Sequence, residues 1–186
     1  MFPDAWLVVI DPQRIFADPS SQWGSPMFPA IVDPVRRLAA RAGDRTVVTR
    51  WVPSRDPQGS WASYLEAWPF ADVPGDDRLL EVVPELADLG SQTVSVPTFG
   101  KWGSALEAVT GPTPHLVLVG VSTDCCVVST ALAAADAGAT ITVVTDACAG
   151  STPENHRAAL AVMALYPPQI TLATVAEVLE PAEATS

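Results

Sequence analysis

The chain has 186 residues, enough for one continuous hydrophobic core but short for two. Apolar residues make up 48% and charged residues only 17%, so much of the chain must be buried in well-covered layers. Ten basic against 21 acidic residues leave a net charge of −11 with no Lys/Arg run, which removes electrostatic support for binding nucleic acid or an anionic membrane.

In chain order, residues 5–10 read as a first strand and 30–42 as a helix closed by Gly43. A second strand follows at 46–51. Residues 53–77 are an irregular excursion, with Trp61, Tyr64, Trp68 and Phe70 among prolines and charges and room for one helical turn. A helix-like stretch at 79–86 leads to a strand at 93–96 and a helix at 104–109. A strand at 116–119 then feeds an alanine-rich helix at 127–137, followed by Gly138. After a strand at 140–144, Thr152-Pro153-Glu154 reads as an N-cap, an N1 proline and an acidic first turn for a helix at 154–164. The last elements are a strand at 170–173 and a short helix at 175–179 capped by Thr174.

Most of these strands are apolar throughout rather than alternating, as in strands covered on both faces. Repeated strand–helix alternation implies right-handed crossovers. The expected fold is α/β, a three-layer αβα Rossmann-like arrangement. Its open, mainly parallel six-stranded sheet takes the order 3-2-1-4-5-6, with helices on both faces. One domain is expected over residues 1–180, with a polar tail at 181–186. Three cysteines, two adjacent, make no disulfide framework and point to a reducing compartment. The opening Met1 to Trp6 lacks a basic n-region, so no signal peptide is expected. No apolar run reaches the ~18 residues of a membrane span. A cytoplasmic location is expected.

In an open parallel sheet, ligands bind beyond the carboxyl ends of the strands. Asp11 directly follows the first strand, Lys101 lies beyond the third, and Cys125-Cys126 lie beyond the fourth, at a helix N-terminus that favours a thiolate. Taken singly, each has a bland alternative: a turn-capping aspartate, a solvated lysine, a pair of buried small hydrophobes. Together they place an acid, a base and a thiol along one edge.

The segments Ile10-Asp11-Pro12-Gln13-Arg14-Ile15-Phe16, Lys101-Trp102-Gly103-Ser104 and Gly120-Val121-Ser122-Thr123-Asp124-Cys125-Cys126-Val127 resemble the isochorismatase-like cysteine hydrolases. That family includes nicotinamidases, N-carbamoyl amidohydrolases and ureidoacrylate amidohydrolases. The resemblance runs from the first strand through Asp146-Ala147-Cys148 to the helix at 154–164. It implies an Asp–Lys–Cys triad at Asp11, Lys101 and Cys126. The nucleophile is Cys126 because the family pattern Thr-Asp-x-Cys-Val sets it directly before the valine. It also implies a non-proline cis peptide between Val121 and Ser122, with the Ser122 and Cys126 amides forming an oxyanion hole. Lys101 and the helix N-terminus would lower the thiol pKa, and Asp11 would take its proton.

The sequence departs from the nicotinamidase pattern after the second strand. Trp51, Pro53 and Gly59 stand where that subgroup's metal ligands would be expected, and no histidine occurs from Met1 to Pro114. No metal and no other cofactor is expected. His115 and His156 are expected to be structural. Gln13, Phe16, Trp51, Trp61 and Trp102 are candidate walls of a pocket for a small planar or apolar substrate, with a subunit interface or the core as the alternative for the tryptophans. The resemblance implies a homo-oligomer, dimer or tetramer, acting on a small molecule.

The reading that follows is a metal-independent hydrolase of a C–N bond in a small amide, carbamoyl or ureido compound, working through a thioester. Two alternatives are an isochorismatase-type vinyl-ether hydrolase and a non-catalytic or redox module using the vicinal Cys125–Cys126 pair. No glycine-rich phosphate-binding pattern follows any strand, which disfavours a dinucleotide-binding protein.

Overall fold

The computed structural model describes residues 4–180. Six strands form one sheet: β1 (Trp6–Ile10), β2 (Thr46–Trp51), β3 (Gln92–Val96), β4 (His115–Val121), β5 (Thr140–Ala149) and β6 (Ile170–Ala173). Their order is β3-β2-β1-β4-β5-β6 and every pairing is parallel. The order reverses between β1 and β4, where Trp6 to Ile10 pair in register with Leu116 to Gly120.

The strands alternate between two apolar layers, as a period of two demands. Leu7, Val9, Val117, Val119 and Val121 face α2 (Phe28–Ala42) and α7 (Val175–Leu179). Val8, Ile10, Leu116 and Leu118 face the other layer, made of α4 (Ser104–Thr110), α5 (Val128–Asp136) and α6 (Pro153–Met163). Because both faces are covered, the two central strands are apolar throughout from Trp6 to Ile10 and from Leu116 to Val119. The expected punctuation is in place. Gly43 and Gly138 take positive φ, Thr152 accepts from the Asn155 amide, and Thr174 with Glu177 forms a complete capping box.

Two segments differ from the sequence expectation. Residues 79–86 are not one helix but two short 3₁₀ turns, Arg78–Leu80 and Pro84–Leu86. Pro84 lacks an N–H and pushes Val83 into extended backbone (ψ 144°), which breaks the turn sequence. The excursion at 53–77 is more ordered than one turn, because Ser60–Ala67 forms the eight-residue helix α3. A four-residue turn, α1 (Arg14–Ala17), also precedes α2. The chain at 82–83 returns across the end of β1, where the Val83 amide donates to the Pro12 carbonyl at 2.9 Å. The aromatic residues of the excursion are thereby carried over the carboxyl edge of the sheet.

Candidate active site

The site is built at the reversal of strand order. β1 and β4 approach so closely there that a Cβ on Gly120 would overlap the Ile10 backbone, and Gly120 itself has φ +109°. Only glycine fits both conditions. The next residues of the two strands, Asp11 and Val121-Ser122, therefore emerge side by side. The Val121–Ser122 peptide bond is cis.

Asp11 is wholly buried and sits in the left-handed region, with φ +43°. Thr49 on the neighbouring β2 accepts from its backbone amide at 3.1 Å and donates to Oδ1 at 2.7 Å. Oδ2 meets the Lys101 ammonium at 2.8 Å, and both side chains are 0% exposed. That contact is an ion pair of poor hydrogen-bond alignment, and Oδ2 has no aligned hydrogen bond to any described residue. Lys101 also donates to the Thr98 carbonyl at 2.8 Å.

Lys101 and the cysteine turn are joined through one hydroxyl. Thr130 on α5 accepts from the Lys101 amide at 2.9 Å and donates to the Cys126 carbonyl at 2.7 Å. Thr130 back-bonds one helical turn and so leaves its lone pair to hold the lysine loop.

The cysteines lie not ahead of the helix but inside a wide π turn, Thr123–Val127, that opens it. The Ser122 carbonyl accepts from both the Cys125 amide (3.0 Å) and the Val127 amide (3.1 Å). Cys126 is 1% exposed, whereas Cys125 is half-buried. The two thiols share a hydrogen bond. It lowers Cys125 below the usual thiol range, against burial and the Asp124 charge. At Cys126 the same hydrogen bond, then burial, then the Asp11 carboxylate push the thiol well up, and Lys101 opposes them. Complete burial beside a carboxylate is cause enough for that direction. That direction runs contrary to the expectation that Lys101 and the helix end would dominate.

A cavity of about 340 Å³ opens on Ser122, Cys125 and Cys126. Its walls are aromatic: Phe16, Trp23, Tyr64 and Phe99. The Phe16 and Trp23 rings are parallel within 4° at 6.1 Å. Burial first, then the charges of the two cysteines, push the Tyr64 phenol up to about 12, which sets that side chain beside the thiols. Of the five residues expected in the pocket, Phe16 is there. Gln13 is fully buried and pins β2 instead, donating to the Trp51 and Leu80 carbonyls and accepting from the Trp51 amide. Trp51 is 0% exposed, and with Trp61 it lines a separate, smaller cavity of about 190 Å³. Trp102 is half-buried against the α4–α5–α6 layer. Trp23, Tyr64 and Phe99 were missed, although Phe99 stands two residues before Lys101 at the same strand end.

The two histidines divide. His115 begins β4, and its Nε2 lies 2.9 Å from the Thr142 hydroxyl. His156 on α6 sits 2.9 Å from the Thr123 hydroxyl, directly under the cysteine turn, so it supports the site more closely than expected. Asp124 holds the β5–α6 connection, accepting from the Ser151 amide and hydroxyl at 2.7 Å each. Cys148 is a core residue whose thiol burial pushes up to about 12. Among the described residues there is no group of three or more His, Cys, Asp or Glu that could hold a metal ion. No helix among them is long and apolar enough to cross a membrane.

A family model described as the isochorismatase domain matches residues 5–177. The chain belongs to this family. The same architecture occurs in a cysteine hydrolase from Pseudomonas syringae pv. phaseolicola. That protein is 20% identical, with a TM-score of 0.78, covering 94% of this chain and 90% of that one. An isochorismatase family protein from Desulfovibrio vulgaris gives 21% identity and a TM-score of 0.78, covering 95% and 97%. A pyrazinamidase/nicotinamidase from Streptococcus mutans gives 20% identity and a TM-score of 0.70, covering 90% and 99%. At such identities the likeness to solved structures is one of fold. No curated protein matches the sequence.

Proposed function

We propose that this isochorismatase-family hydrolase cleaves a C–N bond in a small amide, carbamoyl or ureido compound, with Cys126 as nucleophile and a thioester intermediate. The reading rests on the buried Asp11–Lys101 ion pair, 2.8 Å apart at the strand edge that also presents Cys126. Two buried charges are costly to maintain, and such pairs concentrate at functional sites.

In this mechanism Asp11 accepts the Cys126 proton as the sulfur attacks the substrate carbonyl. Lys101 balances the negative charge that passes between carboxylate and sulfur. The Ser122 and Cys126 amides hold the tetrahedral oxyanion, a role in which one donor is typically worth ~2.7–4 kcal/mol. Collapse breaks the C–N bond, and Asp11 returns the proton to the leaving ammonia or amine. Asp11 then deprotonates water, which attacks the thioester. The second collapse releases the acid, and the Asp11 proton restores the thiol. The high resting pKa of Cys126 fits this cycle, because the proton leaves only when Asp11 takes it.

At the end of β2 and beyond it, Trp51, Pro53 and Gly59 occupy the positions where nicotinamidase ligands are expected. Asp56, the one carboxylate of that stretch, supplies too few donors to hold a metal, so the chemistry assigned here uses none. The test is acid-quenched mass spectrometry during turnover of small amides, with ammonia measured in parallel. Acylation mapped to Cys126 with ammonia release supports the reading. Pyruvate release from isochorismate without any adduct would replace it with vinyl-ether hydrolysis.

A further inference from the structure

The mechanism above uses Cys126 and leaves Cys125 without a task. Cys125 is nevertheless the more accessible of the two thiols. It is half-buried and lines the cavity of about 340 Å³, whereas Cys126 beside it is 1% exposed. Both residues belong to the π turn Thr123–Val127, and their sulfurs lie within hydrogen-bond reach of each other. That hydrogen bond, with a smaller contribution from Lys101, lowers the Cys125 thiol against burial and the Asp124 charge. An acidified thiol that opens on a cavity is the kind an oxidant attacks first. The third cysteine does not compete. Cys148 in β5 is 2% exposed, donates to the Leu118 carbonyl, and is pushed up to about 12 by burial.

We propose that Cys125 is an oxidative modification site that caps the nucleophile: hydrogen peroxide oxidises Cys125, and Cys126 then closes a vicinal disulfide with it. The consequence for activity rests on the hydrolase reading above; the modification itself does not. In the first step the Cys125 thiolate attacks one peroxide oxygen and the O–O bond breaks. The sulfur is oxidised by two electrons to a sulfenic acid, and the departing hydroxide takes up a proton to become water. In the second step Cys126 gives its proton to Asp11 and attacks the Cys125 sulfur. The S–S bond forms, the S–O bond breaks, and the departing hydroxide recovers that proton as a second water. Two thiols and one hydrogen peroxide thus become one disulfide and two waters. The proton passes from Cys126 to Asp11 as it does in acylation, so the group that activates the sulfur against a carbonyl also activates it against its neighbour.

Adjacent residues are an awkward pair to bridge. Their Cα atoms stand ~3.8 Å apart across a trans peptide, short of the about 4.4–6.8 Å that disulfides prefer. The bridge therefore strains the turn. The Ser122 carbonyl, accepting from the Cys125 and Val127 amides, and Thr130, donating to the Cys126 carbonyl, hold that turn in its thiol form. A strained disulfide is easily reduced. The modification is a reversible cap rather than a structural cross-link, and it shields the nucleophile from oxidation to sulfinic acid, which thiols do not reverse.

The test treats the full chain with hydrogen peroxide and follows mass and activity together. Non-reducing peptide mapping should find the peptide that holds Cys125 and Cys126 lighter by two hydrogens, with Cys148 still a free thiol. Ammonia release should fall in step with that change and return on adding dithiothreitol. In Cys126→Ala the sulfenic acid has no partner, so dimedone should label Cys125. In Cys125→Ala the mass loss should be absent. Inactivation of that variant by peroxide, referred to its own untreated rate, should be at least about tenfold slower, because the remaining thiol is buried. Peroxide that adds oxygen to Cys126 of the unmodified chain without a disulfide, or that leaves Cys125 unlabelled in Cys126→Ala, overturns the inference. So does a disulfide that dithiothreitol does not open. Disulfide formation and reversal in a protein that releases ammonia from no amide before treatment would sink the hydrolase reading and leave the modification standing. Ammonia release that peroxide leaves unaffected would do the reverse.

Discussion

Replacing Lys101 by Met keeps the length of the side chain and removes its charge, leaving the Asp11 carboxyl buried with no compensating cation. At 2.8 Å and an effective dielectric of about 20, the attraction lost is about 6 kcal/mol. Part of that only offsets desolvation of several kcal/mol per ion. Breaking a buried pair on one side costs ~3–5 kcal/mol, a large share of a total stability of about 5–15 kcal/mol. Asp11→Asn should cost a similar amount, and asparagine tolerates the φ of +43° at that position. The double variant removes both charges, so the destabilisation should largely vanish. Urea unfolding of all four proteins at neutral pH gives the cycle, with unchanged m-values as the check that the denatured state is the same. With single costs of ~3–5 kcal/mol each and a double cost near zero, the expected coupling is at least about 6 kcal/mol. Additivity of the two single costs to within ~0.5 kcal/mol would refute a compensated buried pair and, with it, the electrostatic basis of the proposed mechanism.

Cys126→Ala should abolish turnover with Tm nearly unchanged, whereas Cys125→Ala should retain much of it; equal loss from both, measured by ammonia release, contradicts the choice of nucleophile. Stability should fall as pH drops through about 6.5, because burial holds His115 and His156 below the usual histidine range and the folded state must take up protons at a cost. His156→Asn should flatten that part of the Tm-versus-pH curve, and an unchanged slope would remove His156 from it. Gly120→Ala should prevent folding or lower Tm steeply, since the added carbon meets the Ile10 backbone. Incubation with EDTA should leave ammonia release unchanged, and restoration of lost activity by a divalent metal would contradict the ligand argument at β2.

Strand positions, sheet order and the family were legible in the residues because they depend on local pattern. Apolar runs of four to six residues separated by capped helices specify a parallel sheet, and parallel connectivity brings Asp11, Lys101 and the cysteines to one edge. The pocket walls were not legible in the same way. Gln13, Trp51 and Trp61 are close in sequence or strand position to the site, yet Gln13 turns back to bond β2 and the two tryptophans line a different cavity. Tyr64 enters the wall because the excursion at 53–77 folds over the sheet edge, and Trp23 joins it from the connection between α1 and α2; no periodicity in either stretch announces this.

What the sequence by itself determined was the inventory and the edge on which it falls, since both follow from nearest-neighbour chemistry along the chain. What only the tertiary structure decided was the surroundings of the thiol and the lining of the pocket. Burial of Cys126 beside Asp11 outweighs the lysine, and which aromatic faces which cavity depends on contacts tens of residues apart. Electrostatic energy and packing are functions of distance in space, and distance along the chain does not supply it.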